Sequence, residues 1–397
     1  MSQLDESPVI FSTIPCLHGM RVGVAVLSAP KTLNGLTLDM IRLLDAQLEH
    51  WAGDPQVAFI VLRGAGDKAF CAGGDLHALH HSMIEHAGQA PIQNTYAGTF
   101  FAEEYALDYR LHTFPKPVLV WGDGIVMGGG IGLMMGASHR VVTETSRLAM
   151  PEISIGLFPD VGGTWLLNRL PGKTGLFMGL TGAQVGASDA LFAGLADYHL
   201  PRQKWESLLA AIATAHWSAC SAAHQANYHD QRNTALATNH ALLHRLLAAV
   251  ATPPAPAVGP LQTHQALIQR CCVSSDFYEV ARNILALSAQ EDAWLQRAAK
   301  TFAAGSPGSA RLTFALLERC KRLSLADVYR TEWIAGLMAA SHGDFAEGIR
   351  ALLIDKDKNP KWNPSTLEEA SADWVEKFFA LPVDGFKHPL YQLGAQP

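Results

Sequence analysis

Two glycine-rich corners and one proline-led glutamate carry the chemistry this sequence could perform. Met127-Gly128-Gly129-Gly130-Ile131-Gly132 sits between the apolar run Pro117-Val118-Leu119-Val120-Trp121 and the apolar, proline-free stretch 131–137. The first run reads as a buried strand and the second as a buried helix. Successive glycines at such a junction leave backbone N–H groups bare, with no Cβ to hold a ligand away. A helix start adds unpaired N–H donors and a partial positive charge. Together they suit an oxygen that becomes negative during a reaction. A carboxylate, Glu152 in Ala149-Met150-Pro151-Glu152, follows Gly129 by 23 residues. A second corner, Phe70-Cys71-Ala72-Gly73-Gly74-Asp75-Leu76, lies upstream. A tight turn accounts for either corner alone; their joint presence makes an oxyanion site the better reading.

The elements that must position these residues follow in order. Residues 9–14 and 22–27 form a predicted strand pair joined at His18-Gly19-Met20. Thr37 is set to cap a helix whose apolar positions Ile41, Leu44, Leu48 and Trp51 keep helical spacing. Phe59-Ile60-Val61-Leu62-Arg63 is a continuous apolar strand, as expected where both faces are covered. Residues 76–112 are helix-prone around Gly88-Gln89-Ala90-Pro91, and 140–143 make another short strand. Strand–helix–strand units with short connections point to a mixed α/β core of stacked turns. From about Lys204 long helical segments take over, interrupted by Thr252-Pro253-Pro254-Ala255-Pro256 as a linker or loop. Ser306-Pro307-Gly308-Ser309 reads as a helix start with Leu312, Leu316 and Leu323 inside, and 333–338 and 349–354 are helical too. The expected division is 1–203 as catalytic core, 204–300 as a helical region of uncertain fit, and 301–397 as a C-terminal helical region closing the site.

Bulk properties narrow the field. The chain has 397 residues and a formal charge of −6, so neither nucleic acid nor an anionic membrane is indicated as partner. No run of 18 apolar residues suggests a membrane span. The acidic start, Met1 to Glu6, has the features of neither a secretory signal nor an Arg-rich transit peptide. Six cysteines show no framework or metal-ligand spacing, so no metal site is expected and a reducing, cytoplasmic setting fits them best. His77, His80, His81 and His86 are the densest histidine group and read as a solvated helix face.

The strings Lys68-Ala69-Phe70-Cys71-Ala72-Gly73-Gly74-Asp75-Leu76, Met127-Gly128-Gly129-Gly130-Ile131-Gly132-Leu133 and Ala149-Met150-Pro151-Glu152 resemble the crotonase (enoyl-CoA hydratase/isomerase) superfamily. Ile155-Gly156-Leu157-Phe158-Pro159-Asp160-Val161-Gly162-Gly163, the stretch 344–357 and Pro360-Lys361-Trp362 extend the resemblance from about Val22 to Trp362. Within the superfamily the chain looks most like the 3-hydroxyisobutyryl-CoA hydrolases. The resemblance implies a crotonase-like ββα superhelix core with an added C-terminal α-helical region. It implies an acyl-CoA substrate and no separate cofactor, CoA being part of the substrate. It places the thioester carbonyl between the N–H groups of Gly74 and Gly129; loss of one such donor typically costs ~3 kcal/mol of transition-state stabilisation.

Hydratases of the superfamily carry a second glutamate two residues past the glycine triplet, where this chain has Gly132. Adding water to a double bond needs that pair. Thioester hydrolysis does not, because a thiol of pKa near ~8.5 leaves with little help from an acid. One carboxylate suffices, either attacking the carbonyl or activating a water, and both routes stay open for Glu152. The resemblance makes Asp160 its partner, positioning substrate and water; a helix N-cap is the bland alternative. It turns Glu104 toward the acyl portion, against a solvated helix face as the ordinary reading. Backbone at Cys71, Ala72 and Gly128 is expected along the substrate, with Lys68, Lys356 and Lys358 as candidates for the CoA phosphates. Asp123-Gly124 departs from the family's usual Asn-Gly, which bears on local turn geometry. A hydratase or isomerase, or a non-catalytic acyl-CoA-binding subunit, are the rival readings. The superfamily favours trimers or paired trimers, which leaves a homo-oligomer open.

Overall fold

The computed structural model describes residues 7–219, 229–380 and 386–395. The expectations for Met1–Glu6 and for Cys220 lie outside them. Among the described residues there are nine strands: β1 Val9–Pro15, β2 Arg21–Leu27, β3 Val57–Gly64, β4 Ala69–Cys71, β5 Val118–Gly122, β6 Ile125–Met127, β7 His139–Val142, β8 Arg147–Ala149 and β9 Tyr198–His199. The chain packs as two compact units, neither of them continuous: 1–73 with 110–148 and 185–259, and 74–109 with 149–184 and 260–397.

The first unit is built on a six-stranded sheet of order β1-β2-β3-β5-β7-β9, antiparallel only between β1 and β2. Strand β3 is buried along Val57–Leu62, as its unbroken apolar run requires. Helix Leu38–Gly53 starts where expected, with Thr37 Oγ1 accepting from Met40 N at 3.2 Å. Phe59, Leu119 and Trp121 pack with Trp205, Leu208, Ile212, Trp217, Leu243 and Leu247. Helices Trp205–Thr214 and His229–Val250, from the stretch that matched the family least, therefore cover this sheet. Each aromatic or aliphatic side chain so buried contributes about 1.5–3 kcal/mol.

A second sheet, β4-β6-β8, carries the glycine corners. Asn34 ties its approach down, donating from Nδ2 to Ala65 O and Ala69 O, each at 2.9 Å. The Asp123–Gly124 turn closes despite its departure from Asn-Gly. Asp123 accepts from the hydroxyls of Thr143 and Thr145 at 2.6 and 2.7 Å, and Arg202 meets its charge at 2.7 Å.

The second unit is helical. Several of its helices begin at side chains that are good hydrogen-bond acceptors. Asp75, Asp276, Asp292, Ser306 and Ser324 each accept from a backbone N–H within the first turn, a cap worth about 1 kcal/mol. Helix Pro307–Cys320 contains Leu312 and Leu316 but stops before Leu323. Leu323 instead precedes Ser324, whose side chain caps the next helix, Leu325–Ala339; that competing start ends the run the leucine spacing had extended. Helix Asp344–Ile349 widens into a π turn at Arg350–Ile354. Among the described residues no helix is long and apolar enough to cross a membrane, and no three His, Cys, Asp or Glu gather as a metal site. None of the five described cysteines is joined in a disulfide.

Candidate active site

In the first unit, Cys71, Gly128 and Gly129 come together as the two corners demand. Gly129 opens helix Gly129–Met135, and Gly128 precedes it at φ +48°. A Cβ on Gly130 would stand 2.2 Å from Cys71 O, so only glycine lets the helix start against β4. Gly73 lies over the same start, its absent Cβ 3.9 Å from Gly129 N. Cys71 is buried and Ala72 partly so, whereas Lys68 is exposed on the β3–β4 loop.

The second unit gathers the acids. Glu152 is the first residue of a short 3-10 turn, Glu152–Ile155, behind Pro151. It is 3% exposed, a buried carboxylate rather than a surface one. The turn is held by close backbone packing: a Cβ on Gly156 would meet Asp344 O at 2.1 Å, and one on Gly348 would meet Ile155 C at 2.3 Å. Helix Asp344–Ile349 can lie on the turn only because both positions are glycine. Burial drives the Glu152 carboxyl well above the usual carboxylate range, and the charge of Asp160 pushes the same way. Its Oε2 has no hydrogen-bond partner among the described residues.

Asp160 is 6% exposed. It does not cap the following helix with its side chain: Gly162 holds the N-cap position of Gly163–Leu167. Asp160 Oδ2 instead accepts from Tyr105 Oη at 2.8 Å. Burial raises its pKa to about 6, while the tyrosine hydroxyl holds it down. Glu104, 2% exposed, is no solvated face residue. Its Oε1 is 4.0 Å from where a Cβ on Gly74 would be, and has no partner among the described residues. Burial, and then Asp160, raise its pKa far above normal. Lys356 and Lys358 are exposed with φ of +57° and +54°. Their loop is fixed by Arg350, which pairs with Glu347, Asp355 and Asp357 at 2.8, 2.5 and 2.8 Å.

Three further groups belong to this cluster. Asp108, one helical turn beyond Glu104, is buried with both carboxylate oxygens unpartnered among the described residues. Tyr105 and Tyr329 pack ring to ring at 5.5 Å. Glu332, fully buried, accepts from Gly162 N at 2.7 Å and Thr164 N at 2.9 Å. The 104/105/108 spacing on one helix face was the available sign for the first two. Glu332, between Thr331 and Trp333 in a helix that also holds Asp327 and Arg330, carried no such sign. Such a set can hold and exchange protons beside a reacting carbonyl, and its unpaired acceptors suit a hydroxylated acyl group and a water.

A family model described as enoyl-CoA hydratase/isomerase matches residues 22–379. A mitochondrial 3-hydroxyisobutyryl-CoA hydrolase of Danio rerio is 37% identical over 380 residues, 96% of this chain and 91% of that protein. The protein of that name from Homo sapiens is 34% identical over 363 residues, 90% of this chain and 86% of the relative. Among solved structures, a carnitinyl-CoA dehydratase from Mycobacterium thermoresistibile aligns with TM-score 0.79 at 34% identity, covering 95% of this chain and 97% of its own. An enoyl-CoA hydratase from Rhodobacter sphaeroides aligns with TM-score 0.77 at 33% identity, covering 94% and 97%.

Proposed function

The chain belongs to the enoyl-CoA hydratase/isomerase family, and from that premise we propose that it hydrolyses short-chain 3-hydroxyacyl-CoA thioesters, 3-hydroxyisobutyryl-CoA above all. The products are the free 3-hydroxy acid and CoA, a step suited to valine breakdown. The observation that carries this reading is Glu152: buried, unpaired at Oε2, beside Asp160, and with glycine at 132 where a hydratase needs its second acid. The likeness in sequence to hydrolases along nine-tenths of the chain supports it.

In this reading the N–H groups of Gly74 and Gly129 donate to the thioester oxygen. Glu152 supplies the attack, by its own oxygen or by taking a proton from water. The C–S bond breaks, CoA leaves as thiolate, and water completes the acid. Asp160, oriented by Tyr105, holds the water. Glu104 accepts from the 3-hydroxyl. Backbone at Cys71, Ala72 and Gly128 lines the substrate, and Lys68 and Lys356 face the CoA phosphates. No cofactor is required. We also propose a homo-oligomer and a cytoplasmic site of action; the relatives named above are mitochondrial by name.

Glu152→Gln tests the assignment. Free-thiol release from 3-hydroxyisobutyryl-CoA should fall by roughly 10²–10⁴, the usual worth of a positioned acid–base group. Retention of most activity would overturn it. A single turnover in ¹⁸O-water that leaves label on Glu152 identifies attack by the carboxylate, with water then opening the mixed anhydride at the glutamyl carbonyl. Loss of crotonyl-CoA absorbance without thiol release would instead identify a hydratase.

A further inference from the structure

We propose that Glu332 is a positioning residue for the reaction: from the remote helix Leu325–Ala339 it holds the Asp160 loop in its working pose. This rests on the hydrolase reading of Glu152 and Asp160.

The loop cannot hold itself. Its helix, Gly163–Leu167, begins at Gly162, which has no side chain with which to satisfy the first N–H groups. Val161 stands at φ +53° and Gly162 at +78°. A left-handed backbone is costly for a β-branched residue and persists only where its surroundings enforce it. Glu332 supplies the missing cap, its two oxygens accepting separately from Gly162 N at 2.7 Å and Thr164 N at 2.9 Å. One turn earlier on the same helix, Tyr329 donates from Oη to Val161 O at 3.5 Å. That hydroxyl also fills the space a Cβ on Gly162 would need, 2.8 Å away. On the near side Gly163 N closes onto Asp160 O at 2.6 Å, and Tyr105 donates to the Asp160 carboxylate. The backbone on the far side of Asp160 is therefore fixed by Glu332 and Tyr329, and its side chain by Tyr105. A buried glutamate spent on two backbone donors is costly, and its effect is delivered at Gly162 and Thr164, two and four residues past Asp160.

The test is a double-mutant cycle on the full chain, with kcat and KM for 3-hydroxyisobutyryl-CoA and thermal unfolding read in parallel. Glu332→Gln keeps one acceptor and places an NH₂ against a backbone N–H. It should lower kcat on the order of 10- to 100-fold, the usual effect of losing such support, with KM changed less than about twofold. In an Asp160→Asn background the same substitution should change kcat less than about twofold while still lowering the melting temperature. Tyr329→Phe, which keeps its ring, should show the same kcat-only pattern at several-fold, and it stands in if Glu332→Gln does not fold. Equal loss of kcat with and without Asp160, or a change confined to KM, overturns the inference and leaves the hydrolase reading intact. Full activity of Asp160→Asn alone overturns both.

Discussion

Tyr105→Phe isolates the electrostatic setting of Asp160. The substitution removes one hydroxyl and keeps the ring that packs on Tyr329 at 5.5 Å and on Phe101 at 5.8 Å. Burial raises Asp160 to about 6, and the Tyr105 hydrogen bond is the larger of the two hydrogen bonds that oppose that rise, the other coming from backbone. A hydrogen bond to a charged group is worth roughly 1.5–3 kcal/mol. At about 1.36 kcal/mol per unit, its loss raises the Asp160 pKa by about 1–2 units. The donor favours the charged form, so its removal moves the acid limb of kcat/KM upward, from near pH 6 to about pH 7–8. At pH 7 the ionised fraction drops from about nine-tenths to between a tenth and a half, a two- to tenfold loss that vanishes near pH 9. Thiol release measured from pH 5 to 9 reads this directly. An acid limb that stays in place in a folded Tyr105→Phe protein refutes the reading that Asp160 works in its ionised form beside Glu152.

Three other outcomes are expected. Glu104→Gln should raise KM for 3-hydroxyacyl-CoA about 5- to 30-fold, the worth of a buried hydrogen bond of ~1–2 kcal/mol, and should leave acyl-CoA esters without the hydroxyl little changed. Asp108→Asn should stabilise the protein more at pH 8 than at pH 5. Burial first, then Glu104, Asp160 and Glu332, hold the Asp108 carboxyl protonated in the folded state at pH values where the unfolded chain has lost that proton. The folded state thus binds more protons, and its stability falls as pH rises; removing the acid removes that slope, which thermal unfolding at the two pH values shows. Gly156→Ala should cost roughly 2–4 kcal/mol in denaturant unfolding, because its φ is +76° and its new methyl would meet Asp344 O at 2.1 Å.

Local pattern made much of this legible. The run Phe59–Arg63, the Thr37 cap and the glycine corners each declare themselves within a few residues, and each sits where its pattern required. Glu104, Glu152 and Asp160 were reachable because resemblance supplies long-range information that periodicity lacks. Leu323 went astray because a leucine continues a helical stripe without saying that the next residue starts another helix. Glu332 was invisible for a different reason. Its meaning lies in two backbone amides 170 and 168 residues away, and nothing in Thr331-Glu332-Trp333 points to them. Asp108 left a local sign in its one-turn spacing from Glu104, but its burial shows only once the packing around Tyr329 is known.

The span between Glu332 and Gly162 bears on how the protein comes into being. Synthesis runs from the N-terminus, so Glu152 and Asp160 leave the ribosome well before the helix that steadies the loop between them and Thr164. A nascent chain halted short of residue 325 carries the acids without their brace. On this reading the full hydrolytic rate waits for residues beyond 325, and fragments released before them should turn over acyl-CoA far more slowly than the full chain.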